Sequence, residues 1–191
     1  MNLYDVILSR RSIRQFKPDS LAREALVRIV EAGRLAPSAA NLQPLEFMIV
    51  DDRDICPKFF PCLKWAAYIA PQGNPRPGQE PAAYVVVLVN TAVREKMFEY
   101  DVGAAVENMI LTALADGIGS CWLISIDREK AAQILGVPEG FRIDSVLALG
   151  RPAESPVVEE LKDSAKYWKD DEGRLHVPKR PLVRVLHLNK F

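Results

Sequence analysis

Apolar positions along the chain alternate between helical and strand spacing. Leu3, Val6 and Ile7 recur at helical spacing and predict a short amphipathic helix over residues 1–10. Lys17-Pro18 closes that segment, because the residue before a proline avoids the helical region. Asp19 and Ser20 are cap candidates for a second helix, whose stripe is Leu21, Ala25, Leu26, Ile29 and Val30 and which stops near Ala36-Pro37. A short apolar run at 46–51 predicts a strand, and residues 58–70 read as a helix with an early Pro61. Prolines and glycines from Pro71 to Pro81 predict a long loop, of the kind that is often functional or mobile. The β-branched run at 83–89 predicts a strand buried on both faces. Residues 100–116 are apolar on most faces, as in a helix buried in a core or an oligomer. A strand at 120–126, a helix capped by Asp127 and stopped at Gly136, and a strand at 143–149 follow. Residues 151–191, with prolines at 152, 156, 178 and 181, show little periodicity and read as an extended arm that packs on something else. There is no internal repeat and no sharp linker. The pattern therefore predicts one domain over 1–191, an α/β or α+β sandwich with about four central strands.

Composition narrows the partners. The 191 residues carry 25 Lys plus Arg and 25 Asp plus Glu, a formal charge of zero. That balance argues against a nucleic-acid backbone or an anionic membrane as the main partner. No run approaches the roughly 20 apolar residues of a membrane span, and the first residues lack the apolar core of a leader. Cys56, Cys62 and Cys121 are an odd, sparse set, unlike a secreted disulfide scaffold. These features together predict a cytoplasmic location.

The familiar catalytic signatures are missing. There is no dinucleotide-binding glycine fingerprint after a strand, no phosphate-binding Walker loop, no Cys-x-x-Cys pair and no nucleophile elbow. Cys56 and Cys62 lack the further ligands of a zinc site, and no metal is expected. Four stretches remain. Arg10, Arg11, Ser12 and Arg14 place three guanidinium groups and a hydroxyl together, a set suited to phosphate, although arginines after a helix also complement its dipole. Residues 36–44 hold small residues that let a flat ligand reach the backbone, and Asn41 and Gln43 offer both donors and acceptors; the same stretch would also serve as an ordinary turn. Residues 117–125 carry glycines before a strand, and Lys179 and Arg180 stand between two prolines.

Taken in order, these stretches resemble the nitroreductase family of flavoproteins. The matching pieces are residues 10–16 (Arg-Arg-Ser-Ile-Arg-Gln-Phe), 36–44, the helix beginning Asp101-Val102-Gly103-Ala104-Ala105, the segment Gly119-Ser120-Cys121-Trp122, and Leu149-Gly150-Arg151-Pro152. The resemblance implies an α+β sandwich, with a central, mostly antiparallel sheet flanked by helices. It implies an intertwined homodimer with FMN in two interface sites, the 151–191 arm packing on the partner subunit. Arg10, Arg11, Ser12 and Arg14 would then hold the FMN phosphate, ribityl chain and pyrimidine edge. Pro37, Ser38, Ala39, Asn41 and Gln43 would come from the other subunit against the ring, and Lys179 and Arg180 would close on the phosphate. Ile124 and Ser125 would donate backbone N–H groups near N5 and O4, with isoleucine at a position where the family often has glycine. The implied activity is ping-pong two-electron transfer from NAD(P)H to a nitroaromatic, quinone or enone. FMN carries that chemistry, so no catalytic side chain is expected. Dehalogenation or ring oxidation on the same fold, a flavin-binding sensor without turnover, and a non-flavin α/β domain whose basic clusters are only solvated faces are the alternatives.

Overall fold

A computed structural model describes residues 2–191; Met1 lies outside the described residues. The centre is a four-stranded sheet in the order β1-β2-β4-β3, with every neighbouring pair antiparallel. Its strands are β1 (Leu45–Val50), β2 (Ala83–Asn90), β3 (Gly119–Leu123) and β4 (Phe141–Gly150). The run at 83–89 is β2 and is buried along its length, as its unbroken apolar pattern predicts. Each face has its own cover. Val85, Val87 and Leu147 pack with Leu26, Ile29 and Met109 under α2 (Arg23–Arg34) and α4 (Glu99–Ala115). Tyr84, Val86 and Val146 pack with Phe59 and Ala131 under α3 (Cys56–Phe59) and α5 (Arg128–Leu135). Burying each of these valine, leucine, isoleucine, methionine and phenylalanine side chains stabilises the fold by about 1.5–3 kcal/mol. The expected α+β sandwich with a mostly antiparallel sheet is the fold observed.

The two long helices meet closely because α2 presents Gly33. A Cβ there would stand 2.8 Å from Met109 Cγ and 3.4 Å from the Ala105 carbonyl. The helix α1 (Leu3–Ser9) opens on a capping box between Asn2 and Asp5. Asp127 caps α5 by accepting from the Lys130 N–H, as expected.

Three elements differ from the sequence reading. The cap of α2 is Ala22, with no side-chain bond, so Asp19 and Ser20 do not cap it. The helix expected at 58–70 is broken: α3 ends at Phe59, a 3-10 turn spans Phe60–Cys62, and a second spans Ala67–Ile69. Leu63 instead pairs with Ile126 in an isolated bridge, a tertiary contact that draws the chain out of the helix. The region after residue 151, read as an extended arm with little periodicity, contains regular structure. It forms a small sheet of β5 (Val157–Glu160), β6 (Trp168–Lys169) and β7 (Leu175–Lys179), ordered β5-β7-β6. This sheet packs on its own chain, through buried Leu175 and through Tyr167, whose ring lies 5.1 Å from that of Tyr68. Beyond Pro181 the chain is exposed, with Leu182, Val183 and Leu188 at 69%, 80% and 76%.

Candidate functional site

Residues 10–17 form an extended ribbon laid along the sheet. Ser12 bridges to Ser120 of β3, the Ile13 N–H donates to the Ser120 carbonyl at 2.8 Å, and Phe16 bridges to Pro152 just past β4. The fit is tight because the sheet offers glycine where the ribbon crosses. A Cβ on Gly119 would meet Ile13 at 2.9 Å, and one on Gly150 would meet Phe16 at 2.7 Å. Arg10 and Arg11 line a cleft of about 250 Å³ together with Ser120 and Glu154. Arg10 Nε stands 3.8 Å from the Glu107 carboxylate on α4. The Arg11 guanidinium donates to the carbonyls of Arg10 and Leu8, so in the single chain it caps the end of α1. Burial, and then the charge of Arg10, lower its pKa. Arg14 lies over the Tyr167 ring at 5.3 Å, and its buried Nε finds no acceptor among the described residues. Glu154 turns its charge toward the ribbon, accepting the N–H groups of Arg14 at 2.5 Å and Gln15 at 3.2 Å.

At the far end of β3, Ile124 is 57% exposed, and neither its N–H nor that of Ser125 donates to a protein acceptor among the described residues. Their carbonyls are both engaged. Arg128 donates to the carbonyls of Ile124, Ile143 and Asp144 at 2.8–3.0 Å, and the Ser125 carbonyl accepts from the Lys64 N–H at 3.0 Å. Two consecutive donors are thus held in place without an acceptor. Arg128 holds the first of the two residues, and it was not among the expected site residues. A lone arginine at the start of a helix gives no sequence signal of which carbonyls it will reach.

The loop at 37–43 adopts an unusual backbone. Ala40, Asn41 and Gln43 sit at φ of 54°, 53° and 52°, a left-handed region that costs a non-glycine residue about 1 kcal/mol or more. Ser38 ties the loop internally: its Oγ accepts from the Gln43 N–H at 3.1 Å, and its carbonyl accepts from the Asn41 N–H at 2.9 Å. The Gln43 amide folds back onto the Asn41 carbonyl at 3.2 Å. Pro37, Ser38 and Gln43 line a cavity of about 150 Å³ that reaches Asp101 and Ala105 on α4. The Ala39 N–H donates to Asp101 Oδ1 at 3.1 Å. Asp101 was read from the sequence only as part of the helix.

Lys179 ends β7, paired with Glu160, and Arg180 follows it, lining a groove with Arg184. The strands of this small sheet are joined by His176, which lies 3.2 Å from Glu159 and 3.1 Å from Asp170 and stacks on Trp168 at 4.2 Å. Within one chain, then, the expected residues occupy several places. Arg10, Arg11, Ser12 and Arg14 share the ribbon, and Ile124 and Ser125 lie at the other end of β3. Pro37, Ser38, Ala39, Asn41 and Gln43 share the strained loop, and Lys179 and Arg180 lie on the small sheet.

Cys121 is buried beside Arg14, and burial pushes its thiol up to about 11, so it stays protonated near neutrality. No disulfide joins the three cysteines, and no group of three or more His, Cys, Asp or Glu among the described residues could hold a metal ion. No described helix is long and apolar enough to cross a membrane.

Residues 7–151 match the model of the nitroreductase family. A protein of Archaeoglobus fulgidus, provisionally named an NADH dehydrogenase/NAD(P)H nitroreductase, is 31% identical over 167 residues, covering 83% of this chain and 90% of its own length. An NADH dehydrogenase of Thermus thermophilus is 29% identical over 178 residues, covering 77% and 85%. Among solved structures, a provisionally named nitroreductase of Desulfovibrio desulfuricans in complex with FMN superposes with a TM-score of 0.70 at 26% identity, over 100% of this chain and 98% of that one.

Proposed function

The chain belongs to the nitroreductase family, and from that premise we propose that it is an FMN-dependent oxidoreductase acting as a homodimer in the cytoplasm. It takes two electrons from NAD(P)H and passes them, in a ping-pong cycle, to a small oxidised acceptor such as a nitroaromatic, quinone or enone.

The observation that carries this reading is the arrangement along β3. A basic ribbon is bonded at Ser120, and two unsatisfied N–H groups follow Leu123. The two ends lie about 13 Å apart at the ordinary rise of a strand. That layout suits a cofactor with a phosphate at one end and a ring with hydrogen-bond acceptors at the other. The donor set fits FMN on other counts too: Arg14 brings a buried Nε that lacks an acceptor, and residues 37–43 bring a strained loop of small residues.

Bound FMN would supply the redox chemistry, accepting a hydride at N5 and returning two electrons. The chain's residues bind and orient it. Arg10, Arg11, Ser12 and Arg14 would hold the phosphate, ribityl chain and pyrimidine edge, with Lys179 and Arg180 closing on the phosphate. The N–H groups of Ile124 and Ser125 would donate to the ring near N5 and O4. Pro37, Ser38, Ala39, Asn41 and Gln43 of a second copy would cover the ring. Fixed positive charge at the pyrimidine end favours uptake of negative charge by the ring, so no side-chain acid or base is required. The scatter of these residues within one chain supports a site shared between two.

The test is anaerobic. The purified protein, supplied with FMN if needed, should show a flavin spectrum that bleaches with NADH or NADPH and recovers on adding a quinone or nitroaromatic. A protein that takes up no FMN removes the cofactor assignment. One that holds FMN but bleaches with neither nucleotide removes the reductase reading.

A further inference from the structure

We propose that Asp101 is a positioning residue, which locks the loop at 37–43 into its strained shape from below. The proposal rests on reading that loop as the ring-side wall of the FMN site.

Asp101 sits in the first turn of α4 and is only 3% exposed. A carboxylate buried this deeply is costly unless compensated. Oδ1 accepts the Ala39 N–H at 3.1 Å. Oδ2 stands 3.5 Å from Arg94 Nη1, and neither of those two atoms makes a hydrogen bond among the described residues. Arg94 is itself tied down, its Nε donating to the Lys96 carbonyl at 2.9 Å. The amides at the start of α4 favour a negative charge there. Asp101 therefore joins three segments: the turn bearing Arg94, the helix α4, and the loop.

The loop needs such an anchor. Its other hydrogen bonds, at Ser38, Asn41, Leu42 and Gln43, all run within the loop itself. These internal bonds set its shape, but among the described residues only the hydrogen bond from Ala39 to Asp101 ties residues 38–43 to the helix beneath. Three non-glycine residues in the left-handed region favour relaxation once that tie is lost. Asp101 also lines the cavity beside Pro37, Ser38 and Gln43, so its charge acts on the space behind the loop.

Hydrogen exchange on the full-length protein, with and without FMN, tests the proposal on Asp101→Ala and Asp101→Asn. In Asp101→Ala, amides 38–43 should exchange about 10- to 100-fold faster, the equilibrium weight of one hydrogen bond to a charged acceptor. Amides of β2 should stay as protected as before. Asp101→Asn keeps the Oδ1 acceptor and should hold the Ala39 amide much closer to the parent protein. The FMN dissociation constant of Asp101→Ala should rise by a similar factor, with the KM for NAD(P)H rising more than kcat falls. Equal loss of protection in β2 and the loop would make Asp101 merely structural and overturn the proposal. So would unchanged exchange at 38–43, or an asparagine variant as loose as the alanine one. Exchange in the FMN-free protein reports on the anchor even if FMN is not the ligand. A faster loop with unchanged FMN affinity would keep the anchor and remove its role at the site.

Discussion

Replacing Gly119 by alanine tests how the ribbon is seated. The new Cβ would stand 2.9 Å from Ile13 Cγ1 and 3.1 Å from both Cβ and Cγ2 of the same residue. All three atoms lie at or next to the branch point of a β-branched side chain, whose χ1 is stiff, so Ile13 has no easy rotation away. The ribbon must instead move by a few tenths of an ångström, stretching the 2.8 Å bond from the Ile13 N–H to Ser120. Overpacking of this kind costs about 1–3 kcal/mol, a fall of about 2–12 °C in Tm for a chain of this size. Urea unfolding of the apoprotein at one fixed concentration measures it without a contribution from bound cofactor. The decisive comparison is a double-mutant cycle. Ile13→Ala alone costs about 2–5 kcal/mol as a core truncation, but it removes two of the three clashing atoms. In that background, Gly119→Ala should cost at least about 1 kcal/mol less than in the parent, a coupling above the roughly 0.5 kcal/mol scatter of independent sites. Ile13→Val keeps all three clashing atoms and should give no rescue. Additive energies, or rescue by valine equal to that by alanine, would refute the reasoning.

Arg14→Ala should weaken FMN binding by about 1.5–3 kcal/mol, the value of a hydrogen bond to a charged group; titration calorimetry that finds equal affinity would move the contact elsewhere. His176 should titrate above 6.5, raised first by its bond to Asp170 and then by that to Glu159, whose own carboxyl pKa values are lowered. The imidazolium's contribution is full below about 6.5 and is lost as pH rises through the raised value, while the carboxylates' contribution is lost in acid. The small sheet should therefore be firmest between about pH 4.5 and 6.5. An NMR midpoint for His176 at or below 6.5 would contradict this. Removing residues 182–191 should leave the unfolding midpoint of the single chain intact but weaken self-association about tenfold or more, since burying one large apolar side chain stabilises by about 1.5–3 kcal/mol. Sedimentation equilibrium showing unchanged association would remove the tail from the interface.

The sequence by itself determined the elements whose signals are local. The unbroken apolar run of β2, the nearly all-round apolar pattern of α4 and the Asp127 cap are written in neighbouring residues, and the basic ribbon and the small-residue loop stand out in the same way. Where the outcome depended on distant partners, that legibility ended. Pro178 argues against a strand, yet it lies in β7 opposite Glu159 of β5, because the register of the small sheet is set by its neighbours. Pro61 is compatible with the first turn of a helix over 58–70, and the bridge from Leu63 to Ile126, a distant partner, accounts for the chain leaving the helix instead. Asp101 reads as one polar residue on a buried helix, and Arg128 as one cation at a helix start. Each gained its role when folding brought a backbone group from another segment within hydrogen-bond reach. Hydrophobic periodicity is a property of consecutive residues and survives in the sequence. Which carbonyl or N–H a buried charge will meet is settled only by the packing of the sheet and its helices.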